Sequence, residues 1–179
     1  MSEASWLFII IFISVLYYIF NYQNCKIFNN TKYCINKESD KEKFNSLMKL
    51  KKNFDTLIKY LNDNHKHHNV TKNINENYKS DIIISELLNH KAIAYTKNKG
   101  EEISVCLLDE EKKFNALMFV SIHELAHIGT KDIGHTYKFW ENFKFLLECA
   151  RDIKIYEPEN YNEFPVNYCG LDITHNPLF

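Results

Sequence analysis

Arginine occurs once in these 179 residues, at Arg151; no two cysteines form a CxxC pair, and the formal net charge is only −1. A chain so nearly neutral makes no whole-chain case for nucleic-acid binding, which rests on an excess of Lys and Arg. The missing CxxC spacing excludes a zinc ribbon. An odd set of five cysteines (Cys25, Cys34, Cys106, Cys149, Cys169) excludes an all-paired disulfide framework. Cys25 and Cys34 are able to pair in an oxidising compartment, but the simpler reading of all five is as reduced, small hydrophobic residues. There is no internal repeat. Lys, Asn and Ile are plentiful, as an AT-rich coding genome produces. With 45% hydrophobic and 15% aromatic residues, the chain has the material for a packed core. Its length suits one modest domain plus an anchor.

The neutral total conceals an asymmetry. Residues 23–79 hold twelve Lys against six Asp/Glu, whereas residues 80–179 hold ten Lys/Arg against sixteen Asp/Glu. Ahead of both lies the uncharged run SWLFIIIFISVLYYIF at residues 5–20. It lacks a positive n-region, carries Glu3 before it, and ends in bulky Tyr17, Tyr18, Phe20 and Tyr22 rather than small residues. Those flanks favour a retained transmembrane anchor over residues 1–22 against its main rival, a cleaved signal peptide, with Trp6 and the tyrosines at its interfaces. No lysine precedes the run, while Lys26, Lys32 and Lys37 follow it. The positive-inside rule then makes this a single-pass protein of a host or virion membrane, with its C-terminal domain in the cytoplasm. Residues 23–79 become a basic juxtamembrane stalk lying on an anionic leaflet. Two N-x-[ST] sequons, at Asn29 and Asn69, carry little weight in so Asn-rich a chain.

Within the stalk, residues 42–62 predict an amphipathic helix with Phe44, Leu47, Phe54, Ile58 and Leu61 on one stripe, packed on the domain or against a membrane or partner. His65, His67 and His68 fall in a polar stretch without periodicity, which reads as a linker. Residues 81–89 are ambiguous between strand and helix. Residues 92–96 and 101–108 read as strands around Lys97-Asn98-Lys99-Gly100, a hairpin turn in which Gly100 supplies positive φ. A helix is expected over residues 115–128, with Asn115 as its N-cap, and another over residues 136–154. The tail, with its Pro, Asn and Tyr, is expected to wrap the domain as loop.

The chemistry is concentrated in V-S-I-H-E-L-A-H-I-G, residues 120–129. His123 and His127, at i and i+4, share one face of a helix and can reach one ion. Glu124 can reach a water on that ion without ligating it, as a general base must. Gly129 and Gly134 allow the chain to turn back and bring His135 in as a third ligand, leaving one zinc position open. Glu148, on the next helix, is the rival for that place, with a supporting role as its alternative. His175, Tyr168 and Tyr156 are candidates for stabilising the transition state, against the plainer reading of buried tyrosines and a solvent-facing histidine. Cys169 has a remote claim on the open position as a latency switch.

The stretch HELAHIGTKDIGHTYKFW resembles the HExxH…GH…FW core of the WLM and SprT-like (Spartan-type) zinc metallopeptidases. The preceding YTKNKGEEISVCL is similar to the strand pair that leads into their catalytic helix. The resemblance spans residues 92–151. It extends to WLM-like proteins of large DNA viruses, whose tails carry a pattern like Tyr168-Cys169-Gly170 and Asn176-Pro177-Leu178. It implies zinc on His123, His127 and His135, with Glu124 catalytic. The family's work on DNA-linked proteins is not implied, because the zinc ribbon and basic tail are missing.

Together these readings predict an α+β, compact zincin-like domain over residues 80–179, with a small sheet and two core helices, behind a single transmembrane helix. The expected function is membrane-anchored, zinc-dependent hydrolysis of protein or peptide substrates, with nucleic acid not a partner. The alternatives are a zinc-stabilised structural module of a membrane or virion, and a membrane-tethered nucleoprotein protease using the basic stalk.

Overall fold

The computed structural model describes residues 3–20, 23–36, 41–79, 81–87, 92–107 and 113–179. Twelve elements follow in chain order: α1 (Glu3–Phe20), β1 (Gln23–Phe28), β2 (Thr31–Asn36), α2 (Lys41–Asn64), α3 (Asn69–Asn77), β3 (Ile83–Glu86), β4 (Ala94–Lys97), β5 (Glu102–Val105), α4 (Phe114–Gly129), α5 (Tyr137–Asp152), β6 (Val166–Tyr168) and β7 (Leu171–Ile173). The class is α+β.

Two turns set the main sheet. Asn29 and Asn30 join β1 to β2 with φ of 48° and 63°, a left-handed pair that Asn tolerates and that suits a two-residue hairpin. In the β4–β5 turn, Asn98, Lys99 and Gly100 all have positive φ, so the expected hairpin uses more than its glycine. Gly100 matters for a second reason: a Cβ there would stand 2.7 Å from the Asn77 carbonyl oxygen at the end of α3. The strand order is β1-β2-β3-β5-β4. The central pairs β2–β3 and β3–β5 are parallel and the outer two antiparallel. The ambiguous segment from Asp81 thus resolves as β3, where Ile84, Ser85 and Glu86 are buried, as a strand inside the sheet requires.

The stretch read as a stalk contributes two strands to the sheet, and β2, α2 and α3 place side chains in the same core. Leu47, Leu50, Phe54, Leu57 and Leu61 form the buried stripe of α2, alternating steps of three and four residues, with Phe44 and Ile58 at its margin. That stripe packs on β2, β3, α3 and α5. Even Lys51 is buried, with its ammonium 2.7 Å from Asp55. The expected linker is a tight corner into α3. His68 caps that helix, its Nδ1 accepting from the Val70 N–H at 3.3 Å, and its ring stacks on Phe145 at 3.9 Å. The N-cap of α4 is Lys113 rather than Asn115. Asn115 lies inside the helix and binds the tail instead, accepting from the Glu157 N–H and donating to its carbonyl.

The transmembrane anchor is not sustained. Helix α1 has 18 residues and opens on Glu3, which at about 1.5 Å per residue gives roughly 27 Å against a hydrocarbon core of about 30 Å. Among the described residues no helix is long and apolar enough to cross a membrane. Single-pass topology, a cytoplasmic C-terminal domain and placement in a host or virion membrane lose their basis with it. Residues 1–2 and 21–22 of the expected anchor, Lys37 of the flanking-charge reading, residues 88–89, and Leu108 of the second strand lie outside the described residues.

The cysteines also depart from the reduced reading. Cys25 and Cys34 are direct cross-strand partners in the β1–β2 hairpin and form a disulfide. A second disulfide joins Cys106, just past β5, to Cys169 in the β6–β7 turn, 63 residues away. Cys149 is a free thiol, and burial pushes it up to about 12. The long-range pair has no sequence signature, because only the fold brings its members together.

Two outcomes follow. Phe54→Ala, at a fully buried site, should lower the unfolding free energy by about 3–5 kcal/mol in urea titration. Unfolded without reductant, the protein should react with one equivalent of a thiol reagent, and with five after reduction.

Candidate metal centre

Helix α4 is almost entirely buried, pressed between β4 and β5 on one side and α3 and α5 on the other. Its sequence is correspondingly apolar, and its three ionisable residues, His123, Glu124 and His127, mark the strip that faces a cleft. The His123 and His127 rings lie with centroids 4.9 Å apart, as an i, i+4 pair should.

The third histidine arrives through a braced reversal. Helix α4 ends with its last carbonyls occupied: Asn73 donates to the Gly129 oxygen at 2.8 Å and Asn77 to that of Ile128 at 3.2 Å. The Lys99 ammonium binds the Thr130 carbonyl at 3.1 Å, and Asn142 donates to the Thr130 hydroxyl at 2.9 Å. Gly134, at φ 82°, turns the loop, and Thr136 caps α5 by accepting from the Phe139 N–H at 3.3 Å. Between these fixed ends, His135 swings over so that its Nε2 lies 2.9 Å from that of His123. The ligating atoms of His123, His127 and His135 all lie within 4.8 Å of one another. Nitrogens around tetrahedral zinc, each about 2.0–2.1 Å from the ion, stand roughly 3.3 Å apart, which the observed spread brackets. An all-imidazole set suits zinc rather than a hard, oxygen-seeking cation.

Aromatic rings hold the histidines in place. Phe139 stacks on His127 at 4.3 Å, while Trp140 stands 6.4 Å from His123 and 5.9 Å from His135. Burial in this setting pushes His123 down to about 3, helped by His127 and His135, and His127 to about 4, helped by His135 and Lys99. Both rings are therefore neutral near pH 7, the form that ligates metal. Glu124 responds oppositely. Only 6% exposed, it is raised by burial to about 7, while the Thr96 hydroxyl, donating to Oε2 at 2.9 Å, pulls it partly back.

The cleft beside these groups has a volume of about 870 Å³. Edge strand β4 and the residues before it form one part of its lining, and Trp140, Phe143 and the tail residues 171–175 another. Of the other expected site residues, His175 lines this cleft. Tyr168 does not: it is 1% exposed, and its hydroxyl donates to the Cys106 carbonyl at 2.6 Å, so it has no free group for a substrate. Tyr156 is likewise buried, its hydroxyl accepting from Asn176 at 2.8 Å. Glu148 is outside both the histidine group and the cleft, and Cys169 is consumed by its disulfide. Sequence reasoning missed Thr96, whose role depends on β4 crossing α4, and Lys99, whose brace depends on the hairpin turn.

No protein-family model matches the chain, and no solved structure matches it. It is similar to viral proteins. An uncharacterized protein of Acanthamoeba polyphaga mimivirus is 36% identical over 92 residues, 49% of this chain and 47% of that protein. Uncharacterized proteins of Invertebrate iridescent virus 6 and Invertebrate iridescent virus 3 are 35% and 42% identical, each over 82 residues, covering 42% and 44% of this chain and 44% and 50% of their own lengths. The chain thus matches about half the length of these relatives.

The geometry predicts one zinc ion per chain in metal analysis after dialysis. Replacing any one of His123, His127 or His135 by Ala should abolish stoichiometric uptake, while Glu148→Ala should leave it intact.

Proposed function

We propose that this chain is a zinc-dependent metallopeptidase of the HExxH type, hydrolysing peptide bonds in protein substrates, with a zincin-like domain akin to those of the WLM and SprT-like peptidases. The observation that carries the reading is the combination on one cleft wall of three convergent imidazoles with a buried carboxylate that is not one of them. A purely structural zinc site has no use for that carboxylate. Two further features support a peptide as substrate. Strand β4 is a sheet edge along the cleft, and an extended chain can add to such an edge through main-chain hydrogen bonds. The cleft's volume, about 870 Å³, also leaves room for the side chains of such a segment.

Bound zinc would supply Lewis acidity, acidifying a water and polarising a carbonyl. The protein's own work falls to Glu124. It takes a proton from the attacking water and returns it to the departing amine. A carboxyl held near neutrality suits both acts. Thr96 fixes Oε2, leaving Oε1 for the transfer. The low-lying His123 and His127 remain unprotonated ligands throughout.

The deciding experiment compares the full chain with Glu124→Gln. Equal zinc content is expected, with casein or self-cleavage reduced about 10²–10⁴-fold in the variant. Zinc in both and hydrolysis in neither would replace the enzyme with a zinc-stabilised structural module, and zinc in neither would remove both.

A further inference from the structure

Besides Glu124, the acidic and basic side chains that line the cleft are Lys99, Asp132 and Asp172, and each is already bound within the chain. The Lys99 ammonium is held by the Thr130 carbonyl at 3.1 Å. An Asp132 carboxylate oxygen accepts from the Thr136 hydroxyl at 3.3 Å, and one of Asp172 accepts from the Asn167 amide at 2.7 Å. A charged substrate side chain would have to compete for these groups. Two large apolar side chains of the lining are in the opposite condition. Ile133, in the loop that carries His135, is 91% exposed, and Leu171, the first residue of β7, is 46% exposed.

The deeper lining continues the apolar pattern. Phe119 and Val120 lie one turn of α4 before His123 and line the cleft together with Phe143. The Phe143 ring stands 5.1 Å from both His123 and Phe119, so apolar surface begins directly beside the first histidine. From the tail, Ile173 lines the same cleft two residues after Leu171, on the same face of β7 because strand side chains alternate. Ile173 is buried where Leu171 is not. The apolar lining thus runs from the histidines outward. At Ile133 and Leu171 it keeps hydrocarbon in water that a matching side chain would remove.

We propose that the cleft selects segments of unfolded protein that carry large apolar side chains beside the scissile bond, with Ile133 and Leu171 as the specificity-determining residues that receive them. This rests on the peptidase reading of the site and names the class of substrate it takes. Folded proteins keep most such side chains in their cores, so a cleft that reads them meets its substrate in unfolded or partly unfolded chains. The alternative, a cleft that reads only the main chain along β4, predicts no preference among side chains.

The test uses the zinc-loaded full chain carrying Glu124→Gln, in which cutting is suppressed, and two short peptides of equal length read by calorimetry. One has Leu and Phe at its central positions, the other Ser and Asn. The apolar peptide should bind tighter by roughly 10-fold for each large side chain taken up. In the same background, Ile133→Ser and Leu171→Ser should each cut that advantage about 3–10-fold, and together remove most of it. Ile133→Leu, which keeps the apolar volume, should retain it. Both sites are exposed, so these changes leave the core alone, and zinc content and affinity for acetohydroxamate, which reaches only the metal, should stay constant. Casein cleavage by the wild-type chain, joined to equal affinity for the two peptides, would overturn the proposal alone. A preference that survives in the Ile133→Ser, Leu171→Ser double variant, or an equal loss of acetohydroxamate binding in it, would overturn the assignment to these residues. A zinc-loaded wild-type chain that cleaves neither casein nor either peptide would overturn the peptidase reading and this substrate class with it.

Discussion

The reversal of the chain after α4 is the constraint on which the centre depends. A helix that ends in the interior exposes carbonyls that must find donors, and here they come from two other parts of the chain. Asn73 and Asn77 of α3 and Lys99 of the β4–β5 turn occupy the oxygens of residues 128–131. Only with those groups held can the loop leave the helix at a fixed angle and return His135 to within 2.9 Å of His123. Close packing adds to this: a Cβ at Gly129 would meet Val70 at 3.0 Å, so α3 and the end of α4 touch where a larger residue would push them apart. The N-terminal half is thus a structural part of the candidate metal centre although it contributes none of the three histidines.

Burial does the electrostatic tuning. The same low-dielectric wall disfavours charge on the imidazoles and on Glu124, which drives their pKa values in opposite directions, down for His123 and His127 and up for the carboxyl. One environment therefore gives neutral imidazoles beside a carboxyl that titrates near neutrality. The Thr96 hydroxyl is the local correction that keeps Glu124 from rising further.

Local patterns were legible and distant partnerships were not. The i, i+4 histidines, the apolar body of α4 and the Asn98–Gly100 turn follow from spacing within a few residues. Helix α3 was hidden because its nine residues are polar apart from Val70 and Ile74, and only the contact with Gly129 gives them something to bury against. The β1–β2 hairpin was hidden because its lysines read as part of a basic stalk, while its turn rests on two left-handed asparagines rather than on a glycine. The apolar run of α1 was over-read, since composition reports hydrophobicity without fixing where the helix begins and ends. The fate of Tyr168 and Cys169 turned on the position of Cys106, more than sixty residues earlier.

That last pairing has a topological consequence. The Cys106–Cys169 bond encloses α4, the reversing loop and α5, so every one of the three imidazoles lies inside a covalent ring of chain. A ring of this size restricts the denatured ensemble by on the order of 4 kcal/mol in the chain-entropy account. The Cys25–Cys34 ring joins residues only nine positions apart and holds none of those histidines. The two cross-links are therefore unequal: one secures a hairpin, while the other keeps the stretch that carries the three histidines a closed circle even when its helices have melted.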